Sequence, residues 1–193
     1  TIKPHRIEVI GDPPKSESCD ITYRYRNGYQ RFSDMDIIFF WEDDDWYASD
    51  YIEQMLIEWD KAGRPDIFGT IFTMYYHLKL KKYFKMNHHQ RASAMNTMIK
   101  PNLNINWGKD DNPYTDTWLW MQGQSLSSAL YEPKTVKSIG MKHGIGLSGG
   151  KGHTDNFQRF LNDDHDMYWL KGIVDEESFK FYAEMSKKLN NVG

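Results

Sequence analysis

A chain of 193 residues can bury a sizeable core, and the length suits one domain over residues 1–193. A net charge of −3 with no basic block excludes a general nucleic-acid surface, and no apolar stretch reaches membrane-spanning length. Cys19 stands alone, so there is no internal disulfide, which fits a reducing, cytoplasmic setting.

Residues 6–10 alternate apolar and polar and run into Gly11-Asp-Pro-Pro14, which predicts a short strand and a turn. Residues 16–32 are polar and mixed, a loop with a weak helix and a short strand near 21–25. Residues 36–41 predict a strand buried on both faces, because 37–41 carry no charge to solvate. Asp50 is placed to cap a helix over 50–62, with Glu53 completing a capping box and Gly63 and Pro65 ending it.

Residues 66–76 are aromatic and β-branched and predict one strand continuing towards Leu80. Residues 85–116, rich in Asn and His, suggest an irregular segment or lid. A short aromatic strand is expected at 117–121, and a helix opened by Glu132 and Pro133. Residues 144–152 contain five glycines and are expected to be mobile. A helix at 154–161 and a strand at 167–174 follow. Asp175 starts a last amphipathic helix that ends in Lys187 and Lys188, a charge bias that suits the helix dipole. Interleaved strands and helices make the fold class α/β.

The densest chemistry is Glu42-Asp-Asp-Asp45 at the end of the 36–41 strand. Four like charges at a strand end are unfavourable unless a cation sits among them, and an all-oxygen set suits Mg²⁺ or Mn²⁺. An EF-hand is a poor fit, because counting from Asp43 its sixth and twelfth positions are Ala48 and Gln54. Trp41, Trp46 and Tyr47 flank the acids; Trp41 suits the core, and Trp46 is open between core and a sugar-stacking role. Trp107, Trp118 and Trp120 are candidates for an acceptor cleft. His88-His89 suggests a surface site, and Asp163-Asp-His-Asp166 a solvated turn rather than a second metal cluster.

Four features occur in a suggestive order: Ile10-Gly-Asp12; Glu42-Asp-Asp-Asp-Trp46; Gly123-Gln-Ser-Leu126 leading to Ser138-Ile-Gly140; and Gly149-Gly-Lys-Gly-His-Thr-Asp-Asn-Phe157. This order resembles the GT-A-fold glycosyltransferases of the broad family-2 type, over roughly residues 7 to 174. The chain also looks like the glycosyltransferases with which large algal viruses decorate their capsid protein. The resemblance implies a GT-A, Rossmann-like mixed central β-sheet flanked by α-helices. It implies transfer of a hexose or deoxyhexose from a UDP-sugar to a glycan or glycoprotein acceptor, with Mn²⁺ or Mg²⁺ as cofactor.

By the same resemblance, Asp12 would contact the base, and Asp43 the ribose or the metal. Asp45 would be the direct metal ligand, and Asp155 the base that takes the acceptor proton. Asp44, Trp46 and Lys151 would lie on the donor, with His153 completing the metal shell and His143 as second choice. The family pattern has a strand and helix ahead of the position of Thr1. Its usual Glu-Asp pair is here Thr154-Asp155. A sugar-phosphate nucleotidyltransferase and a non-enzymatic carbohydrate-binding module remain the alternatives.

Overall fold

The computed structural model describes residues 4, 6–10, 20–122, 125–144 and 162–191. They pack as two compact units. The first takes residues up to 41, 49–71 and 88–132; the second takes 42–48, 72–87 and those from 133 on.

The first unit is built on a four-stranded mixed sheet. Its strands are β1 (Ile38–Phe39), β3 (Ile67–Thr70), β6 (Thr97–Ile99) and β7 (Ser128–Tyr131), in the order β1-β6-β3-β7. β6 runs antiparallel to both β1 and β3, and β7 runs parallel to β3. Among the described residues three α-helices belong to this unit: α1 (Ile21–Gln30), α2 (Tyr51–Lys61) and α3 (Thr115–Trp120). Its core gathers Tyr29, Ile38, Phe40, Ile67, Ile99, Trp107 and Leu119. Gly69 is required in β3, since a Cβ there would lie 2.5 Å from that of Ala92 and 2.6 Å from the Asn96 carbonyl oxygen.

The second unit carries a five-stranded mixed sheet in the order β2-β8-β4-β5-β9. These are β2 (Trp46–Tyr47), β4 (Phe72–His77), β5 (Lys82–Asn87), β8 (Ser138–Lys142) and β9 (Asn162–Asp163). β4 and β5 form an antiparallel hairpin, and β8 lies parallel to β4 with β2 antiparallel on its other side. Its helices among the described residues are α4 (Tyr168–Ile173) and α5 (Glu176–Asn191). Tyr76, Ile139, Met141 and Leu170 are almost wholly buried, and Trp169 stacks on both Tyr76 and Tyr83. Among the described residues, no helix is long and apolar enough to cross a membrane.

The mixed sheets and helices agree with the α/β class, but several expected elements are different. Residues 6–10 form no strand, and their apolar side chains Ile7 and Val9 are 68% and 83% exposed. Residues 21–30 are a helix, with Thr22 and Tyr29 buried seven positions apart and Arg24 paired with Asp20 one turn back. The 36–41 run is an edge strand of two residues with one buried face. Ile38 and Phe40 point inward while Trp41 is 44% exposed, which corrects its expected core place.

Helix α2 forms as expected, with Tyr51 and Met55 buried one turn apart, but the Asp50 side chain makes no cap bond. Residues 66–76 are two strands in different sheets. Ile71 lies between them and donates its N–H to the Tyr131 carbonyl, a bond that still belongs to the β3 side. The segment expected to be irregular, 85–116, contains the end of β5 and the buried interior strand β6, preceded by a 3-10 turn at Ala94–Asn96.

Residues 115–120 and 168–173 are helices rather than strands. Thr115 and Leu119 are buried four apart, and Met167, Leu170 and Val174 at three- and four-residue steps, which is helical spacing. The helix expected after Pro133 is replaced by β8, because Ser138 to Met141 are all buried and the strand has β2 on one edge and β4 on the other. The last helix forms where its charge pattern places it. The 154–161 helix and most of the glycine segment lie outside the described residues.

Candidate functional site: an acidic turn with a buried carboxylate

All described parts of this site belong to the second unit. Residues 42–45 form a turn that leads into β2, closed by the Asp45 N–H donating to the Glu42 carbonyl at 3.3 Å. β2 is fixed against β8 by the pairs Trp46 with Ile139 and Tyr47 with Ser138. That register places Asp45 beside Met141, whose N–H donates to Asp45 Oδ1 at 2.7 Å. The Tyr47 hydroxyl accepts the Glu42 N–H at 3.1 Å, so the start of the turn is tied down as well.

Helix α5 holds the turn from a second side. Asp175 caps this helix by accepting the Ser178 N–H at 2.9 Å, and its other oxygen accepts the Trp46 indole N–H at 3.1 Å. The Ser178 hydroxyl donates to Asp175 as well, at 2.6 Å, and that bond first, then the Ser178 N–H and the Trp46 indole, hold the Asp175 carboxyl down at about 2. One helical step further, the Tyr182 hydroxyl donates to the Asp44 carbonyl at 3.4 Å. Burial, followed by the charges of Asp45, Asp44 and Asp175, raises the Tyr182 hydroxyl well above its ordinary range, so it remains a donor.

Glu42, Asp44 and Asp45 converge, each with a carboxylate oxygen within 4.8 Å of the others. Two oxygens bound to one Mg²⁺ lie at most about 4.2 Å apart, twice the usual bond length, so small side-chain rotations would bring the three onto one ion. Asp44 Oδ2 also lies 3.2 Å from His143 Nε2.

Asp45 is the unusual member. It is 9% exposed, and its Oδ2 is buried without a hydrogen-bond partner among the described residues. Burial and then the Glu42 charge push its carboxyl well above the usual carboxylate range. Asp44 adds to that push, while Lys142 and the Met141 N–H act against it. A buried half-satisfied carboxylate beside two others is costly when ionised. Either a proton or a cation relieves that cost. The donor set, all carboxylate oxygen with one imidazole at its edge, fits a hard divalent ion.

Of the residues singled out in the sequence, Asp44 and Asp45 are brought together. Asp43 is exposed and does not join them. Trp46 is 6% exposed, and its indole serves the contact with Asp175. Asp12, Lys151, His153 and Asp155 lie outside the described residues. Glu42 was singled out only as part of the acid run, and Met141, Asp175 and Tyr182 were not foreseen at the site. Those three become neighbours of the turn only through β8 and α5.

The remaining candidates separate in the same way. Trp107 is buried in the core of the first unit, and the Trp120 indole N–H donates to Thr97 Oγ1. Trp118 alone is open, at 41%. The ring-fusion atoms of Trp118 lie about 3 Å from where a Gly108 Cβ would stand, so the indole rests face-down on a glycine with φ of +73°. His88 is buried rather than superficial, and burial with the Arg91 charge pulls its ring down to about 4. The Asp163–Asp166 run is not simply solvated, because Asp164 is buried as the cap of α4. No family model matches this chain, and no curated protein or solved structure shows a significant match to it.

Proposed function

We propose that this chain is a metal-dependent glycosyltransferase that transfers a hexose or deoxyhexose from a UDP-sugar to a glycan or glycoprotein acceptor. The observation that carries the reading is Asp45, a buried carboxylate with one oxygen left without a partner, next to Glu42 and Asp44. The order of motifs from Asp12 to Asp155 supports the nucleotide-sugar part.

In this reading Glu42, Asp44 and Asp45 hold Mn²⁺ or Mg²⁺. The bound ion supplies charge neutralisation for a departing diphosphate. Met141 aims Asp45 through its N–H, and Tyr182 fixes the backbone of Asp44, so the carboxylates need little rearrangement when an ion arrives. Asp43, exposed on the same turn, faces outward for the ribose. The resemblance would put Lys151 with the diphosphate, Asp12 with the base and Asp155 with the proton of the attacking hydroxyl. The resemblance would add His153 to the ligand set, and His143 lies beside Asp44. Within the first unit, Trp118 lies flat on Gly108 with its ring open, a surface of the kind that stacks on a sugar.

Calorimetry with UDP, GDP and CMP, each with and without Mn²⁺, tests the proposal. UDP should bind only when the ion is present, and Asp45→Asn should abolish that binding. Equal UDP affinity without the ion, or in the variant, would overturn the reading. Binding of a nucleoside triphosphate together with a sugar phosphate would replace it with nucleotidyl transfer, and glycan binding alone with a carbohydrate-binding module.

A further inference from the structure

Away from the acidic turn, the second unit has a cavity of about 430 Å³ between the β4–β5 turn, the residues leading into α4 and the last two turns of α5. That volume lies within the usual range for small-molecule sites, roughly 300–1,000 Å³. Lys79, Lys81, Lys187 and His165 line it, and among the described residues no aspartate or glutamate does. In a chain with more acids than bases, a cavity wall of one sign is not what composition alone would give.

The nearby carboxylates are committed elsewhere. Asp163 pairs with Lys82 at 2.9 Å and lies 3.7 Å from His165. Both Asp164 oxygens accept N–H groups of α4, from Trp169 and Leu170. Glu184 pairs with Lys188 at 2.7 Å, and its charge also reaches Lys187. Asp166 is exposed and does not line the cavity. Among the described residues, none of the three lysines is held in an ion pair. The carbonyl end of α5 opposes an anion, but its partial charge is about half of one elementary charge, set against three full ammonium charges.

The walls are also fixed. The Asn190 amide donates to the Lys79 carbonyl at 3.3 Å, and Ser186 Oγ donates to the Leu78 carbonyl at 2.7 Å. The Asp164 N–H donates to the Lys81 carbonyl at 2.9 Å. Four non-glycine residues have positive φ among the described residues, and two of them, Lys81 at 51° and Met167 at 56°, line this cavity. Backbone held in the left-handed region is unfavourable for such side chains and gathers where ligands are clamped. Glycine or asparagine would relax position 81, yet a lysine is placed there.

We propose that this cavity binds a phosphomonoester of a small polar molecule. The phosphate carries close to two negative charges at neutral pH and would sit among Lys79, Lys81 and Lys187. The rest of the volume exceeds what a bare phosphate fills and leaves room for a sugar-sized group, with His165 and Asn191 as polar wall. The site is independent of the acidic turn and needs no divalent ion.

Calorimetry of the whole chain in EDTA, with glucose 6-phosphate as probe and glucose as the neutral control, tests this. The phosphate ester should bind saturably at one site, and glucose should not bind. Lys81→Asn, which suits the left-handed backbone, and Lys187→Gln should each weaken binding at least tenfold. Lys188→Gln, outside the cavity and paired with Glu184, should leave it unchanged, as should Asp45→Asn. No saturable binding, or full affinity in both cavity variants, would overturn the proposal. An equal loss in Lys188→Gln would also overturn it, by showing general charge screening in place of a site.

Discussion

The second unit contains two acid-rich runs of similar composition, Glu42 to Asp45 and Asp163 to Asp166, and their carboxylates meet opposite fates. In the later run the acids are answered by donors: Lys82 for Asp163, and two backbone N–H groups for the buried Asp164. In the earlier run the buried member, Asp45, has one oxygen answered by Met141 and the other by nothing among the described residues, with two more carboxylates beside it. Burial is common to Asp164 and Asp45, at 7% and 9% exposure, so burial is not what separates them. The count of donors is. A satisfied acid builds structure, whereas an unsatisfied one has affinity left for a proton or a cation.

The largest effect should come from supplying the missing cation. Mn²⁺ at a hundred times its dissociation constant should stabilise the wild type by about 2.7 kcal/mol, or about 5–11 °C in melting temperature for a chain of this size. Asp45→Asn should lose that response, and Asp164→Asn should retain it. The same variant has a pH signature without ions. The folded carboxyl of Asp45 lies above its unfolded value, so the folded state binds the extra proton. Wild-type stability should therefore fall, relative to Asp45→Asn, as pH rises above about 4 towards the folded value. A gap between the two proteins that stays constant from pH 4 to 8 would contradict the raised carboxyl. Thermal melts in EDTA across that range measure it.

Next in size is the structural acid. Asp164→Ala leaves the N–H groups of Trp169 and Leu170 without their acceptor, and Leu170 is fully buried. Loss of a cap of this kind should cost about 2 kcal/mol, with or without Mn²⁺. A metal-dependent cost would blur the distinction between the two runs. Asp175→Ala should cost about 1 kcal/mol, because the α5 cap is exposed although the Trp46 contact is lost with it. It should also weaken Mn²⁺ binding if α5 truly steadies the acidic turn, which a titration of the variant would show.

The contrast also explains what the sequence could convey. Helix α2 and the last helix were legible because their apolar spacing and terminal charges are local. The acidic run was legible as composition, but not which acids converge, since Asp45 is aimed by Met141, ninety-six residues away in β8. Met167, Leu170 and Val174 carry helical spacing that aromatic content around them disguised as a strand. β6 was hidden for a different reason. Three residues pairing with strands on both sides leave almost no pattern of their own, and the neighbouring Asn and His residues read as loop. The split at Ile71 was equally invisible, because the run from 67 to 77 is uniformly strand-like and only its partners assign it to two sheets.

The smallest effect tests the contrast from its weakest side. Asp163 forms an ion pair with Lys82 in full contact with solvent, and the bond with Lys82 holds its carboxyl below the ordinary value. A lowered folded value means that any stabilisation is present above about pH 4 and fades as pH falls through the folded value. Exposed pairs of this type contribute little, because water and salt screen them and two long side chains must be ordered to form the contact. Asp163→Asn should therefore leave the melting temperature unchanged at neutral pH and leave the Mn²⁺ response intact. If it instead destabilised the fold as much as Asp164→Ala, proximity in the acid run would matter more than the donors each carboxylate receives. The same melts in 0.1 M and 1 M salt separate the two accounts, since a screened pair loses what little it contributes while a buried cap does not.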